Sequence, residues 1–104
     1  MRKVLDGKIW DTSKATALCE IWTGTGIKDF KHMDCTLFVT PRSKSFFLAG
    51  YGGGLTLFSK TLADGSISGS EGIVPIDADM ARRLCEEQDV DVETMEKYFN
   101  IEEA

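Results

Sequence analysis

Residues 46–58 read FFLAGYGGGLTLF, with glycine at four of the five positions from Gly50 to Gly54 and an apolar run on either side. A glycine-rich loop between ordered segments is a common start of a phosphate site, so the residues after Gly54 decide the reading. A phosphate loop of the Walker kind needs G-x-x-x-x-G-K-[ST] running into a helix, where backbone N–H groups and the helix dipole face the phosphates and Lys reaches them. Neither Lys nor a helical pattern comes after Gly54. The dinucleotide fingerprint G-x-G-x-x-G starts at Gly50 and Gly52, yet Leu55 stands at its last position. The cluster therefore reads as a turn or bulge that needs positive φ, or as a close approach of this backbone to the sheet or to Trp22. A loop presenting Tyr51 to a ligand is the alternative.

Outward from this stretch the pattern is that of strands. CTLFVT alternates Cys35, Leu37 and Val39 against Thr36, Phe38 and Thr40, PRSK supplies a turn with Pro41 at its first corner, and SFFLAG returns. Beyond the glycines, LTLFSKTL sets Leu55 and Leu57 against Thr56 and Phe58, which predicts a third strand and an antiparallel meander. ADGSISGSEG then reads as a loop of small residues, and IVPI as a return to the core.

Helices are predicted at both ends. In GKIWDTSKATALCEIWTGTG a short strand leads to a helix capped by Asp11 or Thr12 and ended by Gly24 or Gly26. Its apolar face would be Ala15, Leu18, Cys19 and Trp22, at i, i+3, i+4 and i+7. Asp77 is placed to cap a second helix with Asp79 in its first turn and Met80, Ala81, Leu84, Cys85 and Gln88 on one face. DVDVETMEKYFN predicts a third, short helix with the stripe Val92, Met95 and Phe99, and with Glu93, Glu96 and Lys97 in solvent. The expected fold is α+β: a small antiparallel sheet of about three main strands packed with one N-terminal and two C-terminal helices.

At 104 residues the chain fits a single domain, residues 1–104. Its 42% hydrophobic and 28% charged residues are those of a soluble globular protein, no apolar run is long enough to span a bilayer, and MRKVLDGKIW lacks a secretory apolar stretch. An intracellular, cytoplasmic location is expected. Residues 1–61 hold nine Lys/Arg and five Asp/Glu, net +4, whereas residues 62–104 hold three and twelve, net −9. A net acidic chain predicts no direct binding of nucleic acid, because phosphate affinity comes mainly from Lys and Arg. An acidic face suits a basic surface on a partner instead.

Cys19, Cys35 and Cys85 are odd in number and widely spaced, against a disulfide framework and in keeping with a reducing compartment. His32 and Cys35 are separated by two residues, and with Cys19 and Cys85 on inward helix faces they would complete a Cys₃His tetrahedron for a structural Zn2+ ion. Three buried thiols acting as small hydrophobes, with His32 in solvent, are the plainer alternative. A catalytic Cys35 would need His32 as its base and Asp29 or Asp34 to orient it. No nucleophile and base stand in separate elements, so the chain reads as non-enzymatic.

IWDTSKATAL, FFLAGYGGGLTLF and SEGIVPIDADMARRLCEE resemble, in the same order, segments of small proteins carried by phages and mobile elements of Gram-positive bacteria. There a YDT-x-TA start, an aromatic FFL-x-G-x-GG core and an IIPL run before a helix recur. The resemblance spans residues 8–99, with Trp10 where Tyr is usual and Tyr51 where an acidic residue is common. Cys19, His32, Cys35 and Cys85 are outside the shared pattern. Some proteins of this kind are anti-CRISPR inhibitors of Cas9, at least one of them zinc-containing. The resemblance implies an inhibitory protein that binds the Cas9 effector, or its guide RNA complex, and blocks DNA loading or cleavage. Cas9 holds its heteroduplex in a positively charged channel, and Glu86, Glu87, Asp89, Asp91, Glu93 and Glu96 are the expected contacts. A zinc-stabilised interaction module of a phage or mobile element with another partner is the alternative. A solvated acidic helix pair is the ordinary fate of such a charge run.

Overall fold

A computed structural model of the chain describes residues 1–24 and 31–104. Gly26, Asp29 and Phe30, the last an expected apolar anchor of the link before CTLFVT, lie outside these residues. The chain opens with a hairpin of β1 (Arg2–Leu5) and β2 (Lys8–Asp11), paired antiparallel with Lys3 opposite Trp10. At its turn Asp6 and Gly7 have φ of 52° and 73°. These are the positive angles of a two-residue turn whose twist suits a hairpin, and Asp-Gly is a favoured pair for it.

Where the spacing of Ala15, Leu18, Cys19 and Trp22 predicts an N-terminal helix, the chain forms β3 (Thr16–Thr23). The helical spacing does not correspond to a shared face. The register against the next strand shifts between Ala17 and Cys19, so Leu18 sits in a bulge, and Leu18 and Cys19 both pack against the same core. The four residues of the predicted helical face are therefore divided: Ala15 packs on the other side of the sheet, against the cluster of Trp10 and Phe47, and only Leu18 and Cys19 share a core. From Cys19 onward the alternation is regular: Ile21 is buried and Trp22 is 62% exposed.

β4 (Met33–Val39) and β5 (Phe46–Gly52) form the central hairpin, as the alternation predicts. LTLFSKTL does not continue as a strand. Thr56 takes the Gly53 carbonyl with both its N–H, at 3.1 Å, and its hydroxyl, at 2.8 Å, and the chain turns so that Phe58 plugs the core. Only β6 (Lys60–Thr61) is extended there, and it pairs with β7 (Ile67–Ser68) inside the segment that composition marks as a loop. β8 (Ser70–Ile76) then lies along β5, so the main sheet has four strands in the order β3-β4-β5-β8, each pair antiparallel. A strand at 55–58 has no place beside β5, whose two edges are taken by β4 and β8.

α1 (Ala78–Glu87) and α2 (Val92–Tyr98) come next, as the Asp77 cap and the apolar stripes predict, with Met80 N–H donating to the Asp77 carboxylate at 2.8 Å and Thr94 N–H to Asp91 at 3.2 Å. The fold is thus α+β, with the N-terminal helix replaced by strands and a fourth strand added to the main sheet.

Strand alternation divides the core. On one face Ile21, Cys35, Leu37, Val39, Phe46 and Leu48 pack with Ala81 and Cys85 of α1 and Met95 of α2. Phe46 stacks on Phe99 with centroids 5.1 Å apart. On the other face Phe47, Ala49 and Ile73 are covered by Trp10 and Leu5 of the hairpin, with Trp10 edge-on to Phe47. The sheet is therefore a partition, with acidic helices on one side and the N-terminal hairpin on the other.

Candidate functional site

The acidic segment is built by the two helices and the link between them. Asp77 and Asp91, each accepting from an N–H of the first turn, start the helices, and Ala81, Cys85 and Met95 fasten them to the sheet. Glu86, Glu87, Asp89, Asp91, Glu93 and Glu96 consequently all point outward and are exposed. They are not equivalent. Glu86 receives Arg82 at 2.9 Å, and Arg82 also holds Asp79 at 2.7 Å, with Arg83 on the second oxygen of Asp79 at 2.7 Å. Asp91 is engaged by Thr94, whose hydroxyl donates at 2.7 Å, and this hydrogen bond lowers its pKa.

Among the described residues no ion pair engages Glu87, Asp89, Glu93 or Glu96. Two acidic residues, Glu86 and Glu87, close α1, and its last turn has no basic residue. That arrangement opposes the helix dipole, which favours cations at this end. The link carries Asp89 at φ 53°, a left-handed residue that turns the chain between the helices.

The cysteines meet inside the helix-side core. The thiols of Cys19 and Cys85 lie near enough to influence each other's pKa, and Cys19 likewise influences that of Cys35. Burial raises the pKa of Cys19 and pushes those of Cys35 and Cys85 up to about 12. With no metal bound such thiols are protonated at neutral pH and are weak nucleophiles.

His32 does not join them. Its ring lies edge-on to Trp22 at 4.6 Å and tilted toward Tyr51 at 6.1 Å. Trp22 and Tyr51 are register neighbours of Asp34, on the face of the sheet opposite Cys35. The H-x-x-C spacing suits a tight turn, but His32 stands just before β4 and its ring rests on Trp22 and Tyr51, on the face opposite Cys35. The Nδ1–H of His32 donates to the Thr23 carbonyl at 2.9 Å, fixing its tautomer. Among the described residues no three His, Cys, Asp or Glu side chains are grouped to hold a metal ion. As placed, Cys19, His32, Cys35 and Cys85 do not form the tetrahedron that zinc requires, and Cys35 and His32 do not form a nucleophile and base.

The glycine cluster is an instance of close backbone approach. A Cβ on Gly50, whose φ is 149°, would strike the Asp34 carbonyl and sit 2.7 Å from the Cα of Cys35. One on Gly52 would overlap the Thr56 hydroxyl and come within 2.7 Å of the Phe58 ring. The glycines let β5 press on β4 and let Phe58 fold back over the strand end. Two features are not legible in the sequence patterns above: the corner of Trp22, His32 and Tyr51, and the basic hairpin. Asp6-Gly7, between Val4-Leu5 and Lys8-Ile9-Trp10, is the signal for the latter.

No protein-family model matches the chain, and no curated protein or solved structure matches it. Among the described residues no helix is long and apolar enough to cross a membrane.

Proposed function

We propose that this chain is a non-enzymatic inhibitory binding protein that docks the face carrying Glu87, Asp89, Glu93 and Glu96 on a basic surface of a CRISPR effector. The resemblance names the effector as Cas9, and the step blocked is target DNA loading or cleavage. One observation carries the reading: four exposed carboxylates without ion-pair partners among the described residues are gathered by two capped helices, and two of them, Glu87 at the end of α1 and Asp89 in the turn after it, stand where acid is unfavourable. Charge placed against local helix preference is explained by a partner surface better than by stability. Complementary charge steers association and selects partners, and a nucleic-acid channel supplies the opposite sign.

The test is binding of the purified chain to Cas9, alone, with guide RNA, and with guide RNA and target DNA. Glu87→Lys, Glu93→Lys and Glu96→Lys are combined with Asp89→Asn, which keeps a residue tolerant of the left-handed backbone. Affinity is expected to fall by about tenfold or more at 0.1 M salt, with the difference shrinking at high salt as screening takes over. Wild-type failure to bind Cas9 in any state, or equal binding by the variant, removes the proposal.

A further inference from the structure

The side of the sheet away from the acidic helices holds a cleft of about 600 Å³. It opens between the β1–β2 hairpin and the turn joining β4 to β5, with Arg2, Lys8, Lys14 and Arg42 around it and Trp10 and Pro41 in its wall. We infer that this cleft is a binding site for a phosphate-bearing ligand with a flat apolar body, of the size and chemistry of a nucleotide.

Three observations support it. The first is charge. Four cations from four separate segments converge on one concavity, and among the described residues the only acid lining it is Asp11. Arg2 is 3.3 Å from Asp11 and neutralises it, and among the described residues no ion pair engages Lys8, Lys14 or Arg42. Three cations therefore remain uncompensated in a chain of net charge −5. Low-dielectric walls focus such a field on an anion.

The second is rigidity. Trp10 is 7% exposed, lies edge-on to Phe47 with centroids 5.6 Å apart, and donates its Nε1–H to the Leu5 carbonyl at 3.3 Å. In the β4–β5 turn Thr40, Ser43 and Ser45 form a hydroxyl chain, with Thr40 Oγ1 to Ser43 Oγ at 3.1 Å and Ser43 Oγ to Ser45 Oγ at 2.8 Å. Ser45 N–H closes it on Thr40 Oγ1 at 2.9 Å. Arg42 is thus carried on a braced turn. A site formed before the ligand arrives loses less entropy on binding.

The third is the apolar lining. Ile9, Trp10 and Pro41 offer a wall that a base or similar ring can cover, and the volume lies within the range of small-molecule sites. An acidic peptide satisfies the cations but leaves that wall uncovered, so phosphate attached to a ring fits the lining better. The expectation that a net acidic chain avoids phosphates averages over two faces of opposite charge; the cleft belongs to the basic one.

The ring-bearing phosphate could be a free nucleotide or part of a nucleic-acid strand, and the experiment separates these sources. Calorimetric titrations of the full chain use ATP, a six-residue oligothymidylate, and a hexaglutamate peptide. Saturable binding of ATP supports a free nucleotide, and binding of the oligonucleotide without ATP supports a strand. With three cations engaged, oligonucleotide affinity is expected to fall about twentyfold between 50 and 200 mM salt. Lys14→Glu with Arg42→Glu should abolish binding, whereas Lys60→Glu, the same kind of reversal at a distance from the cleft, should leave it unchanged. Both cleft positions are exposed, and thermal unfolding of the double variant checks that it folds. Absence of binding by both phosphate probes, hexaglutamate binding as tight as theirs, or an equal loss from Lys60→Glu overturns the inference.

Discussion

Gly50 shows how much one missing methyl group decides. Its side-chain position is already occupied by the backbone of β4, with the Asp34 carbonyl and the Cα and Cβ of Cys35 all inside contact distance. Backbone atoms of a central strand cannot step aside as a flexible side chain would. Gly50→Ala is therefore expected to destabilise the fold by about 2 kcal/mol or more, read as a lower urea midpoint at unchanged m-value. Gly7, with φ of 73° at the hairpin turn, provides the contrast, since a Cβ there meets nothing within 4 Å. Gly7→Ala should cost only the left-handed backbone penalty, about 1 kcal/mol. Equal effects at the two sites would refute close approach as the reason for the glycine cluster. From the sequence alone, turn geometry and close approach are equally good accounts of Gly50, because the atoms it meets belong to residues 16 and 15 positions earlier.

At the level of elements, the two C-terminal helices are legible because their signals are local. Asp77 accepts the Met80 N–H at 2.8 Å, and Asp91 accepts the Thr94 N–H at 3.2 Å, each three residues away. Asp77→Ala is expected to cost about 1 kcal/mol in global stability, and Asp77→Asn much less, since the amide oxygen still accepts. Equivalent losses for the two substitutions would show that charge near the helix N-terminus matters more than the cap. β3 is not legible, for the opposite reason. The spacing of its apolar residues matches a helix by sequence only, since Ala15 packs on the face opposite Leu18 and Cys19, and its identity as a strand depends on pairing with β4, from Thr16 against Val39 to Thr23 against Met33. The segment after the glycines also alternates, yet turns, because Thr56 captures the Gly53 carbonyl and β5 has no free edge.

Across the whole molecule, pH acts on two separate sets of groups. Hydrogen bonds from Ser13, Ser66 and Thr94 lower the carboxyl pKa of Asp11, Asp64 and Asp91, and Arg82 lowers that of Asp79. A depressed folded pKa contributes stability above the ordinary value of 3.8 that is lost as pH falls through the folded value. The thiols of Cys35 and Cys85 behave inversely: their stabilisation is complete below the ordinary 9.0 and is lost as pH rises toward about 12. The thermal midpoint should be level between about pH 5 and 9 and fall on both sides. Cys85→Ala should flatten the alkaline limb while leaving the acid limb in place; an alkaline limb of undiminished slope in that variant would contradict the assignment.

The amino-acid order by itself determined the α+β class, the β4–β5 hairpin, both C-terminal helices and the division of charge along the chain. Each depends on neighbours within a few residues, where alternation, caps and turn residues act directly. Tertiary structure decided which segments became strands, which side of the sheet each of Cys19, His32, Cys35 and Cys85 faces, and where the charges gather. Those outcomes require partners far away in the chain: β3 needs β4, β8 needs β5, and the basic cleft needs the hairpin to close against the turn at Pro41. A strand's hydrogen bonds are made with other strands, whereas a helix makes its own, and this is why the helices at the C-terminus could be read and the strand at residue 16 could not.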